Sequence, residues 1–283
     1  MSATLEEILD SPGTGRPIVM GVLNITPDSF SDGGRFEGPA VAVAHAGDMA
    51  DQGADILDVG AESARPGTER VSADEQIRRL APVLEKIVGI GPVVSVDTTR
   101  AAVARFALDA GATIINDITA GRDEPELLSL AAQRGAAVVL MHMRGQPKLM
   151  QDDPRYDDVV AEVRQFLIER LAAAESAGLP RRRCIVDPGI GFGKDLQHNL
   201  ELLGNLSALA DLGAPLLVAP SRKRFIGTIA NEPEPTRRLG GTIAACLAGF
   251  EAGATIFRVH DVAHVAQALA VAAAIRHARR RSQ

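Results

Sequence analysis

Eight short apolar runs recur at fairly even intervals along this chain, and each stops at a side chain able to do chemistry. Residues 18–23 run into Asn24, 56–59 lead to Glu62, and 93–96 end at Asp97. Residues 113–115 end at Asn116, 137–141 at His142, and 184–186 at Asp187. Residues 216–219 precede Ser221-Arg222-Lys223, and Ile256-Phe257 leads to Arg258 and His260. A parallel strand buried on both faces reads as such a run. Packing gives a core strand no reason to end in Asp, Asn or His time after time. In a closed (β/α)8 barrel the C-terminal ends of all strands open on one mouth, so residues far apart in sequence converge there.

Helix-period segments fill the intervals, at 39–52, 73–88, 100–110, 126–134, 156–177, 196–209, 236–252 and 262–278. Gly53, Gly111, Gly135, Gly178 and Gly253 stand at helix ends, where a left-handed residue stops the helix before the next strand. Such alternation builds either a barrel or a doubly wound sheet. The polar ends are spread over all the units instead of gathering at one switch point, and neither a dinucleotide nor a P-loop fingerprint appears. The expected fold is therefore a single α/β (β/α)8 TIM barrel over residues 18–283, behind a leader of residues 1–17. The connections 26–38, 62–72 and 143–155 are long; the first two, rich in Gly, Pro, Ser and Asp, are expected to be mobile loops over the site.

Composition removes several classes of partner. A net charge of -6 leaves no basic face for a phosphate backbone, and without Trp and with one Tyr there is no aromatic platform for single strands. No apolar stretch is long enough to span a bilayer, and no secretory leader is visible. Two cysteines far apart, Cys184 and Cys246, fit a reducing compartment, and the expected location is cytoplasmic.

The strand ends make a coherent binding set. Asp97, Asn116 and Asp187 offer acceptors to a planar heterocycle rich in N–H donors, because a carboxylate takes two parallel N–H bonds from a guanidine-like edge. Lys223 could serve another edge of the ring. Asp97 could instead cap the helix that follows it. Arg258 and His260, two residues apart, point the same way in an extended segment and could join Asn24 and Arg65 in an anion site. His142 and His260 are too few for a zinc centre, whereas magnesium held by one protein oxygen plus substrate phosphates is compatible.

The ordered motifs resemble those of the dihydropteroate synthase family. Asn24-Ile25-Thr26-Pro27-Asp28-Ser29-Phe30-Ser31-Asp32-Gly33-Gly34 is similar to its first signature, and Glu62-Ser63-Ala64-Arg65-Pro66-Gly67 to its second loop. The likeness continues through Ser95-Val96-Asp97-Thr98, Ile115-Asn116-Asp117, Leu140-Met141-His142-Met143-Arg144-Gly145 and Asp187-Pro188-Gly189-Ile190-Gly191-Phe192-Gly193-Lys194. It ends with Ser221-Arg222-Lys223-Arg224-Phe225 and Arg258-Val259-His260-Asp261. The resemblance implies condensation of 4-aminobenzoate with dihydropterin pyrophosphate, with Mg²⁺ as cofactor and a homodimer as the assembly. It implies that Asp97, Asn116, Asp187 and Lys223 hold the pterin, that Met141 lines its apolar side, and that Asn24 ligates the metal. It further implies that Arg258 stacks on the ring and faces the pyrophosphate with His260. Phe30, Pro66 and Arg224 would frame the aminobenzoate, and Asp32 and Arg65 would complete the reacting centre. One departure is Ala64, where many members carry a hydroxyl residue.

Overall fold

Parallel pairing runs round the whole molecule. The computed structural model describes residues 3–25, 38–62, 70–145, 150 and 154–281. Its strands are β1 (Ile18–Asn24), β2 (Ile56–Gly60), β3 (Val93–Asp97), β4 (Ile114–Asp117), β5 (Ala137–Met141), β6 (Cys184–Asp187), β7 (Leu217–Val218) and β8 (Ile256–Val259). They form one sheet in the order β6-β5-β4-β3-β2-β1-β8-β7. A parallel bridge between Val186 and Leu216 closes β6 onto β7. The result is the expected (β/α)8 barrel.

Each strand alternates between two environments, as the two-residue period of a strand requires. Ile18, Met20, Ile56, Ile114, Ala137, Val139, Ile185, Leu217 and Ile256 pack together inside the barrel. Their neighbours Val19, Leu57, Ile115, Val138, Val186, Val218 and Phe257 pack outward against the helices, with Leu80, Leu127, Leu167 and Phe250 among them. Continuing the inward register up each strand gives Asp58, Asp97, Asn116, Met141, Asp187 and Arg258. The inside is thus apolar below and polar at the mouth. Gly21 on β1 allows close helix contact: a Cβ there would stand 2.8 Å from the Met49 sulfur.

The leader is part of this packing. Helix Leu5–Leu9 opens with a capping box between Thr4 and Glu7, and its Ile8 joins Ala3 in the interior cluster at the bottom of the barrel. Two helices expected as continuous are divided. Residues 73–88 form Ala73–Leu80 and Leu84–Val88, either side of Pro82, whose missing N–H and ring interrupt a helix. Residues 196–209 likewise form Leu196–Gly204 and Ser207–Ala210. The five glycines expected as helix stops all have positive φ. Among the described residues, no helix is long and apolar enough to cross a membrane.

Candidate active site

The floor of the mouth is built on Asp58, which lies in the middle of β2 and is fully buried. Its Oδ2 accepts Arg258 Nε at 2.6 Å and Asn116 Nδ2 at 3.1 Å. The other arm of Arg258 donates to Asp97 Oδ2 at 3.0 Å. A guanidinium held by two carboxylates has a fixed plane. Because Nδ2 of Asn116 is committed to Asp58, the oxygen of that amide is what remains for a ligand. Burial pushes the Asp97 carboxyl above the usual range, and Asp58, Glu62 and Asp117 add to the shift while Arg258 opposes it. Asp97 is therefore a member of this charged floor; the first N–H of the helix after it, Ala101–Asp109, is taken by Glu124 Oε2 at 2.7 Å and not by Asp97.

Asp187 stands on the opposite wall. One of its oxygens accepts the Gly189 N–H at 2.7 Å, and burial raises the carboxyl to about 6 against the pull of that bond and of Lys223. The Lys223 ammonium lies 4.2 Å from the centre of the Phe192 ring. Burial, reinforced by Arg258, lowers that ammonium to about 8, with Asp187 and Asp97 opposing. Met141, at the end of β5, packs with Met143, Met150, Ile118 and Phe192 on the apolar side.

On the third side, Ser221 Oγ accepts the His260 N–H at 3.2 Å and lies 3.0 Å from His260 Nδ1. Burial, then Arg222 and Arg258, lowers His260 to about 4, so its ring is neutral at pH 7. Arg222, with a left-handed φ of 59°, grips Asp261 with two bonds of 3.0 and 2.6 Å. That fork ties the β7 loop to the β8 loop, which sets Lys223 and His260 relative to each other.

A protein-family model described as pterin binding enzyme matches residues 20–260. The chain is 47% identical to dihydropteroate synthase of Synechocystis sp., an alignment covering 92% of this chain and 90% of that one. The chain belongs to the dihydropteroate synthase family. A solved dihydropteroate synthase from Xanthomonas albilineans with 4-aminobenzoic acid superposes with a TM-score of 0.87 at 48% identity, covering 92% of this chain and 93% of that one. Another structure of that enzyme, in complex with 7,8-dihydropteroate, gives 0.83 at 45% identity, over 92% and 94%.

In this member of the dihydropteroate synthase family, Asp97, Asn116, Met141, Asp187, Lys223, Arg258 and His260 surround one mouth. Arg224 is exposed at the start of helix Arg224–Ala230, an element absent from the sequence expectation. Phe30, Asp32, Arg65 and Pro66, with the loops that carry them, lie outside the described residues. Several polar strand ends have other work. Asp117 accepts Thr119 N–H, Thr119 Oγ and Gly121 N–H, and so staples the β4 turn. Glu62 accepts the Val71 N–H and the Gln76 amide. His142 Nδ1 lies 2.9 Å from the Lys194 ammonium, an arrangement hostile to a metal cation. Sequence reasoning passed over Asp58, although an aspartate inside the run Ile56-Leu57-Asp58-Val59 was a signal in itself.

Asn24 ends β1, half-buried, with its side-chain oxygen 3.5 Å from where a Cβ on Gly60 would stand. Among the described residues, no group of three His, Cys, Asp or Glu side chains could hold a metal. One neutral oxygen at the mouth suits magnesium, which keeps its waters and takes further ligands from a diphosphate. It does not suit a structural or hydrolytic zinc centre.

Proposed function

We propose that this chain joins 4-aminobenzoate to (7,8-dihydropterin-6-yl)methyl diphosphate, giving 7,8-dihydropteroate and pyrophosphate for folate synthesis. That makes it a transferase of the dihydropterin-methyl group; the relatives it matches are named dihydropteroate synthase. The observation that carries the site assignment is the convergence of acceptors and cations on one polar barrel mouth. Asn116 Oδ1 and the free oxygen of Asp187 would take the N–H donors of the pterin's guanidine-like edge. Lys223 would meet the ring carbonyl or a ring nitrogen, and Asp97 another N–H. Arg258, its plane already fixed, would lie against the ring.

An aryl amine is a weak nucleophile, so the carbon it attacks must be strongly activated. The electron-rich dihydropterin can carry positive charge at its exocyclic methylene. The C–O bond to diphosphate then breaks ahead of C–N bond formation, and the amine loses its proton last. The carboxylates at the mouth favour the developing cation, while Arg65, Arg258 and neutral, N–H-bearing His260 face the departing anion. Asp32 would stand beside the reacting carbon. Asn24 would hold Mg²⁺, which when bound supplies charge neutralisation of the diphosphate. Phe30, Pro66 and Arg224 would frame the aminobenzoate. No covalent nucleophile is needed: the Ser221 hydroxyl, beside His260 Nδ1 and accepting the His260 backbone N–H, serves to hold His260 in place. Incubation with both substrates and magnesium should yield dihydropteroate and pyrophosphate in equal amounts. Pyrophosphate without dihydropteroate would reduce the protein to a hydrolase.

The pKa shifts set a pH profile. A carboxyl raised to about 6 loses stabilisation as pH rises from its unfolded value of about 4, because ionising it in the folded state is costly. Pterin binding has the opposite dependence, since N–H donors need the ionised carboxylate. Affinity should therefore climb as pH rises through about 6 to about 7, where Asp187 and Asp97 ionise, and fall as Lys223 discharges near 8. Calorimetry with a dihydropterin between roughly pH 5 and 9 should give a bell; a flat profile would remove these groups from the contact.

Family kinship also supports a homodimer and a cytoplasmic location, to which two buried free cysteines are suited. Light scattering at the monomer mass of 29.8 kDa would contradict the dimer.

A further inference from the structure

Lys194 is among the largest fully buried side chains of the protein. Its ammonium meets three acceptors: Gly189 O at 3.0 Å, Phe192 O at 3.0 Å and His142 Nδ1 at 2.9 Å. All three of its N–H bonds are thereby used. Accepting at Nδ1 requires a neutral imidazole. Burial, aided by Lys194, lowers His142 to about 2 and so keeps it neutral. Edge-on contact with Phe166, with ring centres 4.8 Å apart, fixes the imidazole from its other side.

The two carbonyls belong to the glycine-rich turn after β6, in which Gly189, Gly191 and Gly193 have φ of 65, 81 and 62°. His142 belongs to the loop after β5, and its N–H donates to Asp187 O at 2.9 Å. A Cβ on Gly189 would run into the His142 carbonyl, so the two loops touch through backbone. The same turn supplies the N–H that fixes Asp187, carries the Phe192 ring beneath Lys223, and places Gly191 within 3.2 Å (measured from an added Cβ) of the Lys223 stem.

We propose that Lys194 is a positioning residue for the pterin pocket, clamping the 188–193 turn to His142 and so fixing the Asp187 carboxylate and the Phe192–Lys223 wall. The inference rests on the assignment of Asp187 and Lys223 to the pterin. Lys194 touches no substrate in this arrangement; it acts through the turn. Burial lowers its ammonium to about 7, with Asp187 opposing, so holding the cation there is costly. Lys194→Met relieves that cost while releasing both carbonyls, and fold stability and pterin affinity then respond differently.

The test is calorimetry of 6-hydroxymethyl-7,8-dihydropterin on the wild type and on Lys194→Met, with KM for 4-aminobenzoate measured at saturating dihydropterin pyrophosphate. Pterin affinity should fall at least about tenfold while the aminobenzoate KM stays within about threefold. Unchanged pterin affinity in the folded variant overturns the clamp alone, as does an equal loss for both substrates. A wild type that binds no dihydropterin overturns the clamp and the underlying site assignment together. If Lys194→Met does not fold, His142→Leu decides. It keeps the ammonium and both carbonyl bonds but removes one acceptor, and should weaken pterin binding about threefold or more; no weakening overturns the proposal.

Discussion

Asp58→Ala should destabilise the protein by about 3–5 kcal/mol, because it removes one partner of a buried ion pair and strands the other. Arg258 would lose its 2.6 Å bond and keep only Asp97, and the Asn116 amide would lose its acceptor. The Arg258 side chain is only one-fifth exposed, so water replaces little of what is lost. Denaturant unfolding measures the loss directly, and a fall of roughly 10 °C in Tm should accompany it. A change below about 1 kcal/mol would show the pair to be no stronger than a surface bridge. Any folded remainder should also bind pterin poorly, since an untethered Asn116 amide can turn its NH₂ toward a donor edge.

Asp187→Asn should leave the fold largely intact and weaken pterin binding by about 2–4 kcal/mol, roughly 30-fold to several hundredfold. The carboxylate has two acceptors, one taken by the Gly189 N–H. An amide has a single oxygen. Whichever way it turns, an NH₂ group faces either the Gly189 N–H or the donor edge of the ligand. Calorimetry reads the effect, and an affinity within twofold of wild type would remove Asp187 from the pocket.

The barrel was legible because its two periodicities are cleanly separated. Strands buried on both faces leave continuous apolar runs, and positive-φ glycines punctuate the helices at Gly53, Gly111, Gly135, Gly178 and Gly253. Where local chemistry ran against the pattern, the reading failed. Pro82 divides a helix that apolar spacing alone extends through it. Helix Arg224–Ala230 has only seven residues, too few for a period to stand out.

The site was legible where a polar residue ends a strand on the inward register, as at Asp97, Asn116, Asp187 and Arg258. A strand-end aspartate does not by itself reveal its task. Asp117, adjacent to Asn116, faces the other way and is spent on its own turn. The supporting contacts were harder to see, since they depend on which strands become neighbours. Asp58 and Arg258 are separated by 200 residues, and Arg222 and Asp261 by 39. No local pattern couples them; barrel closure does.

The most direct test of the account is a crystal structure of the protein with a dihydropterin bound. It should show the guanidine-like edge of the heterocycle donating to Asn116 and Asp187, with the ring beside Arg258 and Lys223 on another edge. Arg258 should keep its bond to Asp58 throughout. A heterocycle bound away from the barrel mouth, or held there with its donor edge turned from Asp187, would contradict the account.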